Sequence, residues 1–169
     1  MPLPRWPLAL LLLIALTPAS SKTLYVAPEG PGPDGLSWET AFALVGDAIA
    51  SSASGDHIWV ASGTYNEALE LREGLSLFGG FEGNEATAEF SRRDWKSNET
   101  ILDATGLNSD VIDASSFCTI DGFTITNGNP DSQFPGGGIT LRDVSGIVIQ
   151  KCNIVNNLST FNSIGSGGG

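Results

Sequence analysis

The chain has 169 residues, with 19 acidic side chains against 8 Lys and Arg, a formal net charge of −11 and an isoelectric point near 4.2. A surface so poor in cations is unsuited to nucleic acid, whose phosphates demand a basic face. It suits a solvated extracellular surface.

Met1 to Pro7 carry one basic residue, Arg5. Leu8 to Leu16 then read L-A-L-L-L-L-I-A-L, and the small residues of Thr17-Pro18-Ala19-Ser20-Ser21 follow. A charged start, a short apolar centre and a small-residue exit predict a secretory signal peptide over 1–21, cut after Ala19 or Ser21. The apolar run is shorter than the roughly 20 residues of a spanning helix, and no second long run exists, so no transmembrane segment is expected. The product is expected to be secreted, extracellular or held at the outer surface of the cell envelope. Without Arg5 it keeps 7 basic and 19 acidic residues, a charge of −12. About 150 residues are enough for one core.

Thr23 to Ala27 predict a short strand, and Pro28 to Gly35 a loop that turns at Asp34-Gly35. Ser37 is placed to cap a helix running to about Ser52, with Ala41, Leu44, Val45, Ala48 and Ile49 as its apolar stripe. Residues 22–56 thus form an N-terminal strand and a helix whose apolar side must cover something, such as the open end of a repeat stack. Coil strands follow at Ile58–Ala61, Leu69–Leu71, Leu75–Phe78 and Thr100–Asp103, with a charged excursion over 79–99.

Residues 118–128 (C-T-I-D-G-F-T-I-T-N-G) and 147–157 (I-V-I-Q-K-C-N-I-V-N-N) match at a shift of 29: Ile120 on Ile149, Phe123 on Cys152, Ile125 on Ile154, Asn127 on Asn156. Gly136-Gly137-Gly138 return as Gly167-Gly168-Gly169, so the closing G-S-G-G-G reads as an interrupted unit. Alternating apolar residues mean strand. No helical stripe covers these strands, so they bury one face by coiling on one another at roughly 4.8 Å per turn. The expected fold is all-β, a parallel β-helix over 57–169, incomplete at its C-terminal end, with the 22–56 helix as its cap. An antiparallel sandwich fits less well, because the period is long and the side chains match in parallel register. In this register Asn127 and Asn156 stack as a turn ladder. Cys118 falls on Ile147 and Cys152 on Phe123. The two cysteines are therefore expected as buried free thiols, too far apart to bridge.

Y-V-A-P-E-G at 25–30, D-G-L-S-W-E-T-A-F-A at 34–43, G-D-H-I-W-V-A-S-G-T-Y at 55–65, G-G-F-E-G-N-E at 79–85, R-D-W at 93–95 and N-E-T-I-L-D at 98–103 resemble the opening region of exported right-handed parallel β-helix repeat proteins. That group belongs to the pectin-lyase-like superfamily. The G-G-G-I and I-V-N-N elements resemble the Gly-Gly-aliphatic and strand-Asn repeats of polymorphic outer-membrane, adhesin-like proteins. The resemblance covers 23–169 and implies a right-handed coil continuing into further turns. It implies no activity, since this fold hosts lyases, hydrolases, adhesins and spacers.

Polysaccharide-cleaving β-helices set a basic residue beside carboxylates that bind calcium or act as acid and base. Asp103, Asp110, Asp113, Asp121 and Asp143 are candidate carboxylates, Arg142 and Lys151 candidate bases. Asp121 and Gln150 share an outward column with Lys151 beside them, which is not a catalytic pair and is expected as a solvated face. Arg92, Arg93 and Asp94 suit local ion pairs. His57 is the sole histidine and cannot supply a multi-histidine metal site. Gly79 to Asn84 lacks the Gly and Asp of the calcium nonapeptide, with Glu82 and Asn84 in their places. Trp38, Trp59 and Trp95 suit packing better than sugar stacking. Asn98 and Asn157 open glycosylation-type sequons. No catalytic residue, metal site or cofactor is assigned, and no binding residue is singled out. The expected role is structural or adhesive and leans away from enzymatic. The expected partner is an extracellular polysaccharide or another cell-surface component. The alternative is the N-terminal portion of a polysaccharide lyase or glycoside hydrolase.

Overall fold

The structure, a computed structural model, describes residues 20–130 and 136–159. The apolar leader and the closing G-S-G-G-G lie outside the described residues. The strands are β1 (Thr23–Val26), β2 (His57–Ala61), β3 (Gly63–Tyr65), β4 (Leu69–Glu70), β5 (Ser76–Phe81), β6 (Thr100–Asp103), β7 (Ile112–Ala114), β8 (Thr119–Asp121), β9 (Thr124–Thr126), β10 (Ile139–Leu141), β11 (Val148–Gln150) and β12 (Asn153–Val155). They form three sheets, ordered β1-β2-β5-β8-β11, β3-β6-β9-β12 and β4-β7-β10, in which every pair is parallel. From β2 onward the chain visits the first, second and third sheet in turn, so each circuit is one rung of a parallel β-solenoid.

The register matches the repeat. Ile149 pairs with Ile120 and Ile154 with Ile125. One side of each strand points into the coil, where Leu24, Ile58, Leu77 and Ile120 are wholly buried along the first sheet. Leu102 and Ile125 of the second sheet and Ile112 of the third meet them in one core. Corners need left-handed backbone. Gly122 supplies it at φ 89°, and Lys151, one rung on, takes the same turn at φ 53°. Asn127 and Asn156 do so at φ 61° and 57°, a conformation asparagine tolerates better than most residues.

The predicted helix from Ser37 to Ser52 is two elements. Trp38–Thr40 form a 3-10 turn, and α1 spans only Val45–Ser51. Between them the chain is extended at Ala41 (ψ 146°), and Phe42 joins the free edge of β1 beside Val26. Phe42 donates its N–H to Tyr25 O, and its carbonyl accepts from Ala27 N–H. These ladder bonds satisfy the backbone better than a continued helix would. Val45, Ala48 and Ile49 enter the main core, whereas Leu44 is exposed and Ala41 belongs to a different cluster. α1 packs on β1, β2 and β4. The three-residue strands β3 and β7 are additional to those predicted.

Cys118 is buried and Cys152 half-buried, and they form no disulfide. Cys152 sits at the last described rung, with nothing stacked beyond it among the described residues, and so is less enclosed there than Phe123, its counterpart one rung earlier. Burial, assisted by the nearby charge of Asp121, pushes the Cys152 thiol pKa up, so it is a weak nucleophile at neutral pH. Thiol titration of the denatured, unreduced protein is expected to count two thiols per chain. A count of zero means that the register is wrong.

Candidate functional site

At β1, β2 and β5 the first sheet carries an aromatic column on its outer side too. Tyr25, Trp59 and Phe78 form an outward column across β1, β2 and β5. Trp59 stacks on Phe81 with centroids 4.5 Å apart, and Phe78 and Phe90 meet edge to face at 4.9 Å. Residues 82–95 cover this column. Trp38 Nε1 donates to Glu85 O at 2.9 Å, and Tyr25 Oη and Thr87 Oγ1 share a 2.7 Å bond. The Glu85 carboxylate, itself buried, accepts the backbone N–H groups of Glu82, Gly83 and Asn84, so the acidic loop closes on itself. Among the described residues no cluster of His, Cys, Asp and Glu could hold a metal ion.

The excursion is fastened at its far end by Arg93. The expected local pair holds for Arg92, which meets Glu89 at 2.6 Å. It does not hold for Arg93, whose Nη2 lies 2.5 Å from Asp121 Oδ2 on β8, with side chains 4% and 2% exposed. Arg93 Nη1 also donates to Gly79 O at 2.8 Å, and its guanidinium lies over the Phe90 ring at 4.9 Å. Gln150 Nε2 donates to Asp121 Oδ2 at 2.8 Å, and Lys151 Nζ stands 3.9 Å from the same atom. Asp121, Gln150 and Lys151 thus meet as predicted, but not as the expected solvated face: Asp121 is buried and its carboxylate is bound to a buried cation.

The asparagine corner differs in detail from the expected ladder. Asn127 Nδ2 donates to Asp103 Oδ1 of the preceding rung at 2.9 Å, not to Asn156. Partial burial raises the Asp103 pKa, but the donors on Thr105 and Asn127 outweigh it, and the group ends below the ordinary carboxylate value. The residue that ties the last rung is Asn157. It accepts Gly128 N–H at 2.8 Å and donates to Ile125 O at 2.9 Å, with its amide against the bare Cα of Gly138. Its sequon is therefore spent on a structural bond. Asn157→Ala leaves the Gly128 N–H without a partner and takes one of the donors from Ile125 O, and is expected to cost about 1–2 kcal/mol. Asn156→Gly keeps the left-handed corner and should stay within about 0.5 kcal/mol of the parent. Chemical denaturation of both variants measures the contrast.

The candidate site is a groove along the third sheet, on the outer side of β4, β7 and β10. Glu70, Asp113 and Thr140 form one column across the three strands. Arg142 leans over it, with Nη2 3.2 Å from Asp113 Oδ2 and 3.8 Å from Asp110 Oδ2. Asp110 is largely sequestered. Its Oδ1 accepts Gly137 N–H at 2.5 Å and its Oδ2 accepts the Thr140 hydroxyl at 2.7 Å. The hollow beside these groups holds about 380 Å³ and is walled by Ala68, Leu69, Asn108 and Pro130. A second hollow of about 550 Å³ shares Ala68, Leu69 and Glu70 with it and runs under α1 toward Arg72. Of the candidate groups, the fold brings Asp110, Asp113 and Arg142 together. Asp103, Asp121 and Lys151 lie on other sheets, and Asp143 is in the turn after β10. Glu70 was not among the candidates, although L-E-L at 69–71 places it outward between two inward leucines.

The family model described as "Protein of unknown function (DUF1565)" matches residues 34–165. The chain belongs to this family. No curated protein and no solved structure matches it. The span matched to DUF1565 contains Glu70, Asp110, Asp113 and Arg142, as well as the Arg93–Asp121 pair. It begins beyond β1, at the loop that returns to pair with that strand.

Proposed function

We propose that this DUF1565 chain is an exported, right-handed parallel β-helix module with a structural or adhesive role at the cell surface. The observation that carries this reading is where the carboxylates go. Asp103, Asp110 and Asp121 each bond to the next rung, through Asn127, through Gly137 and Thr140, and through Gln150. Side chains that a catalytic site would keep for its substrate are spent on holding turn to turn. Right-handedness follows from the rule that parallel crossovers take that hand in about 98% of cases. α1 then serves as the cap of the stack, with its apolar stripe over the end begun by β1. The partner best suited to the third-sheet groove is an extracellular polysaccharide, because Glu70, Asp113 and Arg142 offer acceptors and donors to sugar hydroxyls along an extended line.

A second reading, the N-terminal part of a polysaccharide lyase or glycoside hydrolase, is favoured by one feature, the placement of Arg142 between Asp110 and Asp113 in an open groove. Incubating the purified protein with pectin, alginate and neutral glycans, with and without calcium, separates the two. The structural reading expects retention on a glycan surface and no new unsaturated or reducing ends. Turnover that disappears in both Asp113→Asn and Arg142→Ala would establish the enzyme instead.

A further inference from the structure

The sequence leaves two cleavage positions for the leader, after Ala19 and after Ser21, and the surroundings of Asp56 choose between them. Asp56 is 3% exposed, in the turn between α1 and β2. Its Oδ1 accepts the Lys22 backbone N–H at 2.9 Å, and its Oδ2 accepts that of Ala53 at 2.8 Å. Among the described residues no Lys, Arg or His forms an ion pair with it. Neighbouring cations are engaged elsewhere: Lys22 Nζ donates to Ser51 O at 2.9 Å, and Arg72 Nη1 to Ser52 O at 3.1 Å. A buried carboxylate held by amides alone lacks the counter-ion that burial ordinarily demands. Lys22 is also the first residue anchored through both backbone groups, since its carbonyl accepts His57 N–H at 2.9 Å. Ser20 and Ser21 before it are exposed.

We infer that the leader is removed between Ser21 and Lys22, and that the α-ammonium created there is the missing counter-ion of Asp56. The inference rests on the exported reading above. An export-pathway endopeptidase that accepts small residues at the first and third positions before the cut would use Ser21 and Ala19. Water breaks the bond from the Ser21 carbonyl carbon to the Lys22 nitrogen. Its hydroxyl stays on the new Ser21 carboxyl group and its proton on the new amine, which takes a second proton from solvent. The nitrogen already lies 2.9 Å from Asp56 Oδ1, so the neutral amide contact becomes a charge-assisted one without movement of the chain. A cut after Ala19 would keep an amide at this place and leave the ammonium two residues away in water.

The test is to secrete the full chain with its own leader and determine the amino terminus of the product by Edman degradation and intact mass. The expected terminus is K-T-L-Y-V. A product that starts at Ser20 overturns this inference and leaves the exported reading standing, and an uncut chain overturns both. In a second measurement the Lys22-initiated protein is compared with one that retains Ser20 and Ser21. The extension should lower the melting temperature by about 4 °C, and Asp56→Asn should erase that difference. If Asp56→Asn does not fold, α-acetylation of the Lys22-initiated protein removes the charge alone and should reproduce the loss. Equal melting temperatures with and without the α-ammonium overturn the pairing.

Discussion

Arg93→Ala is expected to destabilise the protein by about 3 kcal/mol or more, because it leaves the Asp121 carboxylate buried without its principal cation. Asp121 is 2% exposed, and its Oδ1 has no hydrogen-bond partner, so its charge is met on the Oδ2 side alone. Gln150 and the more distant Lys151 supply only part of the compensation. For a domain of this size the melting temperature should fall by about 6–12 °C. The loss also has a location. Without Arg93 the 82–95 segment loses its hold on Gly79 and its cover over Phe90, so Trp59 should meet water. Limited proteolysis within 82–95 and a red-shifted tryptophan spectrum would report this. Arg92→Ala, one position away, removes only an exposed pair and should leave the melting temperature unchanged. Pairing Arg93→Met with Asp121→Leu should recover much of the stability, since an apolar contact of similar volume removes both charges. An Arg93→Ala protein that melts with the parent would show that the excursion is held by its aromatic contacts alone.

Gly80→Ala should be comparably damaging, at about 3 kcal/mol or more, for a steric reason. Gly80 has φ 89°, and a Cβ built there lies 2.6 Å from the Cα of Trp95. The neighbour is main chain and cannot rotate away. Gly80 is also bonded through both backbone groups, its N–H donating to Thr100 Oγ1 and its carbonyl accepting from Asp94 N–H, each at 2.9 Å. Gly106→Ala provides the comparison. It has φ 77° with nothing within 4 Å of the added carbon, so it carries only the left-handed penalty of about 1 kcal/mol. Urea denaturation of the two variants separates strain from collision. Equal losses would mean that Trp95 does not press on Gly80.

The repeat was readable because stacking makes sequence distance equal spatial distance. Ile120, Ile125, Ile149 and Ile154 occupy the same inward slots one rung apart, so a shift of 29 is also a register. Three-residue strands such as Gly63-Thr64-Tyr65 and Ile112-Asp113-Ala114 hold too little alternation to separate from turn. The sequence overextends the helix because Ala41, Leu44, Val45, Ala48 and Ile49 fall at helical spacing, while the competing partner, the free edge of β1, is visible only in three dimensions. Of the groove, Asp110, Asp113 and Arg142 stood out by type, but their meeting depends on a loop between rungs whose path follows no period. The Arg93–Asp121 pair was the least legible. The two residues are 28 positions apart, and one belongs to an excursion outside the repeat.

The parallel ladders have a mechanical consequence. Strands are joined rung to rung by bonds that run along the stack, so tension applied between its two ends loads successive rungs in series. Such an assembly yields at its weakest link, like a ladder pulled lengthwise, instead of sharing the load among all its joints. β1, β2 and β5 are gripped by the core within and the aromatic column without. Under load the rungs beneath the excursion should therefore be the last to part.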